Sequence, residues 1–307
     1  MAYQNVSTPR FYVNASHFMI SNNTGNINPE APDEVVESWD NGVAMLNIGE
    51  DYEIPNYGVG RIDFPVGDIY NFVFVLGHNM QSAQTYFYLV NSVGTTVSPV
   101  SNVNGDIGSP PDYNGWGLQI FNDQTDDSAR LHISSTDVGI DYTKIKSVCV
   151  GRYFDMPHSP DLNLTMTREY GGIKTIETKG GASLSNDSGS SPPKWGSDME
   201  AWQLGDKDFS VGGRRIWDLS FSYLSDSSVF PDNPTEIADA GGWEVDEATP
   251  DFMSEVIKKT RGSMLPFIFQ PNTDDDIFAI CKFDSGFSFQ QTAPNLYSVK
   301  MRIREVW

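Results

Sequence analysis

Apolar and polar residues alternate with a period of two in the clearest segments of this chain, the repeat of strands with one buried face. In RRIWDLSFSYL, residues Arg215, Trp217, Leu219, Phe221 and Tyr223 fall on one face. Arg214, Ile216, Asp218, Ser220 and Ser222 fall on the other. In NLYSVKMRIREVW, Tyr297, Val299, Met301 and Ile303 oppose Ser298, Lys300, Arg302 and Arg304. Leu162, Leu164 and Met166 alternate with Asn163, Thr165 and Thr167, which predicts a half-buried strand. The following EYGGIKTIET places Gly171 and Gly172 where a tight turn or bulge fits, its IKTIET reads with LNLTMT as sheet with a polar face, and KGGASLSNDSGSSPPKWGSDME reads as loop.

Upstream, NFVFVLGHNM, QTYFYLVNS, GWGLQIFN, ARLHISS and KIKSVCVGRYF are short and rich in Val, Ile, Phe or Tyr. Turn-forming residues bound each of them, a pattern that indicates a β-sandwich. NFVFVLG is apolar on both faces and predicts a central strand. TPRFYVNASHFMI reads as an opening strand, and the polar NNTGNINPEAPDEVVE as a connector. One helix is predicted near 250–261, in ATPDFMSEVIKKTRG. Thr249 can cap it, Pro250 suits its first turn, and Phe252, Met253, Val256 and Ile257 form its apolar stripe. Gly262 can end it. LPFIFQP and DIFAICKFDSGFSFQQ resume strands.

These elements predict a mainly β fold of two β-sandwich domains. Residues 1–34 and 153–307 form one sandwich with the single helix, and residues 35–152 form an inserted, jelly-roll-like one. The 307 residues suffice for both, and 12% aromatics with 27 Gly and 18 Pro suit strands joined by turns. A net charge of −21 argues against general nucleic-acid binding and against adsorption to anionic membranes. It favours solubility at high local concentration, as in an assembly subunit. The N-terminus has no basic segment followed by an apolar core, so no signal peptide is expected. No apolar run approaches the ~18 residues of a membrane span.

Cys149 and Cys281 lie in apolar runs and read as buried free thiols, with pairing undecided by sequence. None of His17, His78, His132 and His158 has a second His at ligand spacing, and His158 sits between Pro157 and Pro160. The acidic DQTDD (123–127) and DDD (274–276) could bind calcium but follow no EF-hand pattern, and solvated loops are the favoured reading. No nucleophile, P-loop, zinc or dinucleotide motif occurs, so no catalytic residue, metal or cofactor is assigned. Trp39, Tyr57, Tyr113 and Trp116 lie near Gly, Asn or Asp and are candidate glycan contacts, with core or turn packing as the rival reading. Arg214, Arg215, Lys300, Arg302 and Arg304 are the candidate oligomer interface.

Taken together, PRFYVN, VLGHNM, FDMPHSPDLNLTMTREYGGIKTIETKGGASLSN, WGSDMEAWQL, GRRIWDLSFSYLSDSSVF, KTRGSMLPFIFQPN and FAICKFD with LYSVKMRIREVW resemble structural proteins of tailed-phage particles, marine siphophages especially. Within that group the chain is most similar to distal tail or other tail-tip proteins. The resemblance implies a non-enzymatic virion protein made in the host cytoplasm and placed at the distal end of the tail. It implies a homo-oligomeric, commonly hexameric, ring built by a belt-type sandwich. The implied partners are copies of the chain, the tail tube protein, hub or fibre proteins, and host surface glycans through a galactose-binding-like accessory sandwich. The accessory sandwich is inserted after the first strand here, where the group appends it at the end. A lectin-type receptor-binding adhesin and a head or neck protein are the alternative readings, and a glycan-degrading enzyme with two facing carboxylates is a further rival.

Overall fold

The computed structural model describes residues 6–14, 52–55, 59–63, 69–76, 85–103, 116–125, 128–135, 142–145, 147–169, 175–185, 194–195, 199–200, 214–231, 250–284 and 286–306. The chain is mainly β, built from antiparallel sheets. The largest sheet holds eight strands. Its path runs β11 (Tyr153–Asp155), β1 (Arg10–Tyr12), β18 (Phe267–Gln270), β19 (Ala279–Phe283), β21 (Leu296–Glu305), β17 (Arg214–Ser225) and β12 (Thr165–Glu169). The eighth strand, β20 (Ser288–Ala293), also pairs with β21.

A second sheet orders β10 (Ser147–Gly151), β4 (Tyr70–Leu76), β7 (Trp116–Gln124) and β6 (Ser101–Val103). A third orders β3 (Val59–Asp63), β8 (Ser128–Ser135) and β5 (Thr85–Asn91), and β2 (Tyr52–Pro55) pairs with β9 (Tyr142–Ile145). Strands from β2 to β10 pair only among themselves, whereas β1 pairs with β11 and β18.

Period-two alternation distributes side chains among three cores. On β1, Phe11 and Tyr12 enter different clusters; on β18, Phe267 and Phe269 part from Ile268. On β4, Tyr70, Val73 and Val75 part from Phe72, Phe74 and Leu76. One face of the eight-stranded sheet thus packs on Phe252, Val256 and Ile257 of a π-helix at Met253–Lys258 and its N-cap. The opposite face, over β1, β18 and β19, stacks on the four-stranded sheet, whose far side stacks on the three-stranded one. This explains why YNFVFVL and FIFQ are buried at every position: each strand is covered on both faces.

Several sequence expectations are corrected. β12 begins only at Thr165; Leu162 lies in a turn closed by the Leu164 N–H donating to the Asp161 carbonyl (3.2 Å), and it is fully exposed. β13 (Thr175–Glu177) falls in IKTIET, as expected of a strand, but part of the expected loop is structured too: β14 (Ser183–Ser185) pairs with β13, and β15 (Lys194–Trp195) pairs with β16 (Met199–Glu200). The helix is π-wound, and just before its N-cap Phe252 the Asp251 Oδ1 accepts from the Ser254 N–H at 2.8 Å. Thr249 lies outside the described residues. Termination at Gly262 holds, with its N–H on the Ile257 carbonyl at 2.8 Å and Arg261 and Gly262 both at positive φ. Along β17 the alternation holds from Arg215 to Phe221, then a bulge shifts register before Leu224. Tyr223 (φ 62°) therefore turns to solvent, and Leu224 takes the core position.

Candidate functional site

The expected interface residues can be placed strand by strand. In the ladder, Ile216 opposes Arg304, Asp218 opposes Arg302, and Ser220 opposes Lys300. Glu169 and Thr165 of β12 oppose Arg214 and Asp218, and Lys282 of β19 opposes Arg304. All of these share one sheet face, the face that carries Tyr12, Ile268 and Ile280 on the neighbouring strands. The four-stranded sheet covers that face only over β1, β18 and β19. Over β21, β17 and β12 the same face is mostly polar, with Lys300 exposed, Arg214, Arg302 and Arg304 half-buried and Ile216 buried among them.

Sequence dictates the boundary. Apolar residues end at Ile280, and Lys282, Arg304, Arg302 and Lys300 follow in their place. The charges interlock: Arg304 Nη2 donates to Glu169 Oε2 at 2.6 Å, and Arg302 Nε lies 3.3 Å from Asp284 and 3.7 Å from Asp218. Burial, then the neighbouring Arg304, lowers the pKa of Arg214 below the usual guanidinium range. Lys300 is exposed, and among the described residues no carboxylate pairs with it. Such exposed pairs add little stability, so a strip of them is available to trade partners with another surface.

Arg215 does not belong to this strip. It lies on the core face beside Trp217, opposite Glu305, and is 9% exposed. Its Nη2 and Nε donate to the two Glu305 carboxylate oxygens at 2.8 and 3.0 Å, and Nη2 also reaches the Phe278 carbonyl. Period two put it with the core residues; only its charge suggested the surface.

Trp116 is likewise corrected. It is 2% exposed and packs edge-on against Phe278 at 5.2 Å, inside the core between two sheets, so it offers no platform to a sugar. Trp39, Tyr57 and Tyr113 lie outside the described residues, as do His17 and His78. His158 Nδ1 sits 2.8 Å from the Ser159 carbonyl, and its ring packs near Phe221, a structural role. His132 stacks on Tyr88 at 4.9 Å, and burial followed by Arg130 lowers its pKa. Cys149 and Cys281 are free thiols in different cores, and burial pushes both pKa values up. Among the described residues no three His, Cys, Asp or Glu side chains converge as a metal site.

A buried ionic node, not foreseen from sequence, joins distant strands. Glu255 of the π-helix is 1% exposed; its Oε2 accepts from Lys259 Nζ at 2.7 Å and its Oε1 from Arg152 Nη1 at 3.4 Å. Arg152, at the step from β10 to β11, also donates to Asp123 Oδ2 at 2.9 Å, and Asn71 Nδ2 donates to Asp123 Oδ1 at 2.8 Å. The node ties the π-helix to the four-stranded sheet. Arg10 clamps the same crossing, bidentate on Asp155 at 2.6 and 2.8 Å with its guanidinium 3.8 Å above the Tyr153 ring.

The fold and the strip define a mainly β protein with a charged strip along one sheet face. No protein-family model matches the chain, and no curated protein matches it in sequence.

Proposed function

We propose that the chain is a non-enzymatic structural subunit of a siphophage tail tip, of distal-tail type, assembling with copies of itself between the tail tube and the hub or fibres. The observation that carries this reading is the charged strip. The eight-stranded sheet buries most of one face and part of the other, then leaves Lys300, Arg302, Arg304 and Arg214 on a face of mixed charge. On a chain of net charge −21, four clustered cations give neighbouring copies something to meet on each other's acidic surface. The segment-wide resemblance to tail-tip proteins supports the same role. The self-contained pairing of strands β2 to β10, stacked on the larger sheet, supports a belt sandwich carrying an inserted accessory sandwich.

A glycan-binding main function draws less support, since Trp116, its one aromatic within the described residues, is buried. The role is tested by immunogold labelling of purified particles of the encoding phage. Gold at the distal tail end is expected. Gold on the head or neck, or absence of the chain from purified particles, would overturn it.

A further inference from the structure

The three-stranded sheet carries a rung that its own strands leave unbalanced. On β5 and β8, Phe87, Leu89, Ala129 and Leu131 are buried in one core. The alternate positions, Tyr88, Arg130 and His132, take the opposite face. In the ladder Arg61 of β3 stands directly opposite Arg130, and Val59 opposite His132. Like charges directly opposite each other destabilise a sheet. The next acid in register is Asp63, opposite Ser128, so over these rungs two arginines meet one carboxylate. Arg130 is exposed, and among the described residues it makes no ion pair.

His132 sits one rung on. Its ring stacks on Tyr88 with centroids 4.9 Å and planes 15° apart, and it makes no hydrogen bond among the described residues. Burial, then Arg130, lowers its pKa from the ordinary 6.5, so at pH 7 the ring is neutral: one nitrogen donates and the other accepts. A hydroxyl, which both donates and accepts, matches such a ring. A carboxylate matches the planar fork of an arginine. Alternate positions on a strand lie about 6.6 Å apart, a gap that one sugar ring bridges from its carboxylate to a ring hydroxyl.

We propose that this face binds a sugar acid: the carboxylate of a uronic-acid unit sits at the Arg61–Arg130 rung, and a ring hydroxyl meets His132 beside Tyr88. A carboxylate there replaces an arginine–arginine repulsion with charge-assisted contacts. Charge selects the class of ligand. On a chain of net charge −21 a local excess of arginine attracts a single carboxylate, whereas a long phosphate polyanion meets repulsion from the rest of the surface. Binding here requires neither self-assembly nor a place in a tail tip.

Isothermal titration calorimetry of the full chain at low salt tests it. Trigalacturonate should bind with a Kd of about a millimolar or tighter. Its methyl ester keeps the hydroxyls and loses the charge; triglutamate keeps the charge and lacks the sugar hydroxyls. Each should bind at least about tenfold more weakly. Arg130→Gln and Arg61→Gln should each weaken trigalacturonate binding at least about tenfold, with the far-UV spectrum unchanged. If triglutamate or inorganic phosphate binds as tightly as trigalacturonate, the face is a general anion site and the sugar-acid assignment is overturned. No binding of trigalacturonate, equal binding of its ester, or equal binding by the folded Arg130→Gln chain would overturn it outright.

Discussion

Glu255→Gln removes the negative centre of the buried node and leaves its shape. Glu255 is 1% exposed and accepts from two cations, Lys259 Nζ at 2.7 Å and Arg152 Nη1 at 3.4 Å. Breaking a buried pair from one side costs about 3–5 kcal/mol, because the remaining charge stays desolvated. Arg152 keeps Asp123 at 2.9 Å, and the glutamine oxygen can still accept from one cation, so the lower end, about 3 kcal/mol, applies. With a urea m-value of roughly 3 kcal/mol/M, the midpoint should fall by about 1 M. Tryptophan fluorescence and far-UV circular dichroism should give one coincident transition, as expected if the node couples the stacked sheets. The double variant Glu255→Gln/Lys259→Met removes one charge of each sign and should be less destabilised than the sum of its single variants by at least about 1 kcal/mol. A midpoint change under ~0.3 M for the single variant, or strict additivity in the cycle, would refute the reasoning.

Arg215→Leu should cost about 3 kcal/mol in urea unfolding by isolating buried Glu305, with no effect on association of the protein that remains folded, whereas Lys300→Ala should change stability by under ~0.5 kcal/mol and weaken association. Neither Cys149 nor Cys281 should react with a thiol-specific chromogenic reagent in native buffer, and both should react in denaturant; titration before and after adding guanidinium checks this. Asp251 carries a pKa raised by burial, which outweighs the Ser254 hydrogen bonds, so its folded-state pKa exceeds the unfolded value. The folded state then binds the proton more readily, and this group's contribution falls as pH rises from the unfolded to the folded pKa. Asp251→Asn, which keeps an acceptor for the Ser254 N–H, should be more stable than wild type at pH 7, with the gap closing in acid; thermal melts across pH measure it.

Much of the fold was legible where burial has a simple period. Trp217, Leu219 and Phe221, and Val299, Met301 and Ile303, face the core as their spacing requires. Strands apolar on both faces, such as β4, proved to be covered on both. Legibility failed where a local device breaks the period: the β17 bulge throws Tyr223 outward and Leu224 inward, and the 161–164 turn exposes Leu162. The second strand of the hairpin, β14, was hidden because Leu184 stands between serines in a Gly- and Ser-rich stretch whose composition matches a loop. The ionic node left no local signal, since Asp123, Arg152 and Glu255 meet only in space; only Glu255 and Lys259 share a helical spacing. Arg215 shows that charge misleads where period is right, because a buried counter-ion on the paired strand cannot be read along one strand.

The charged strip is the centre of the account, and negative-stain electron microscopy of the purified full chain addresses it most directly. Wild type should show closed rings of identical subunits. Lys300→Glu with Arg302→Glu, folded by circular dichroism, should show dispersed single chains. Dispersed wild-type chains at high concentration, or rings unchanged by the charge reversal, would contradict it.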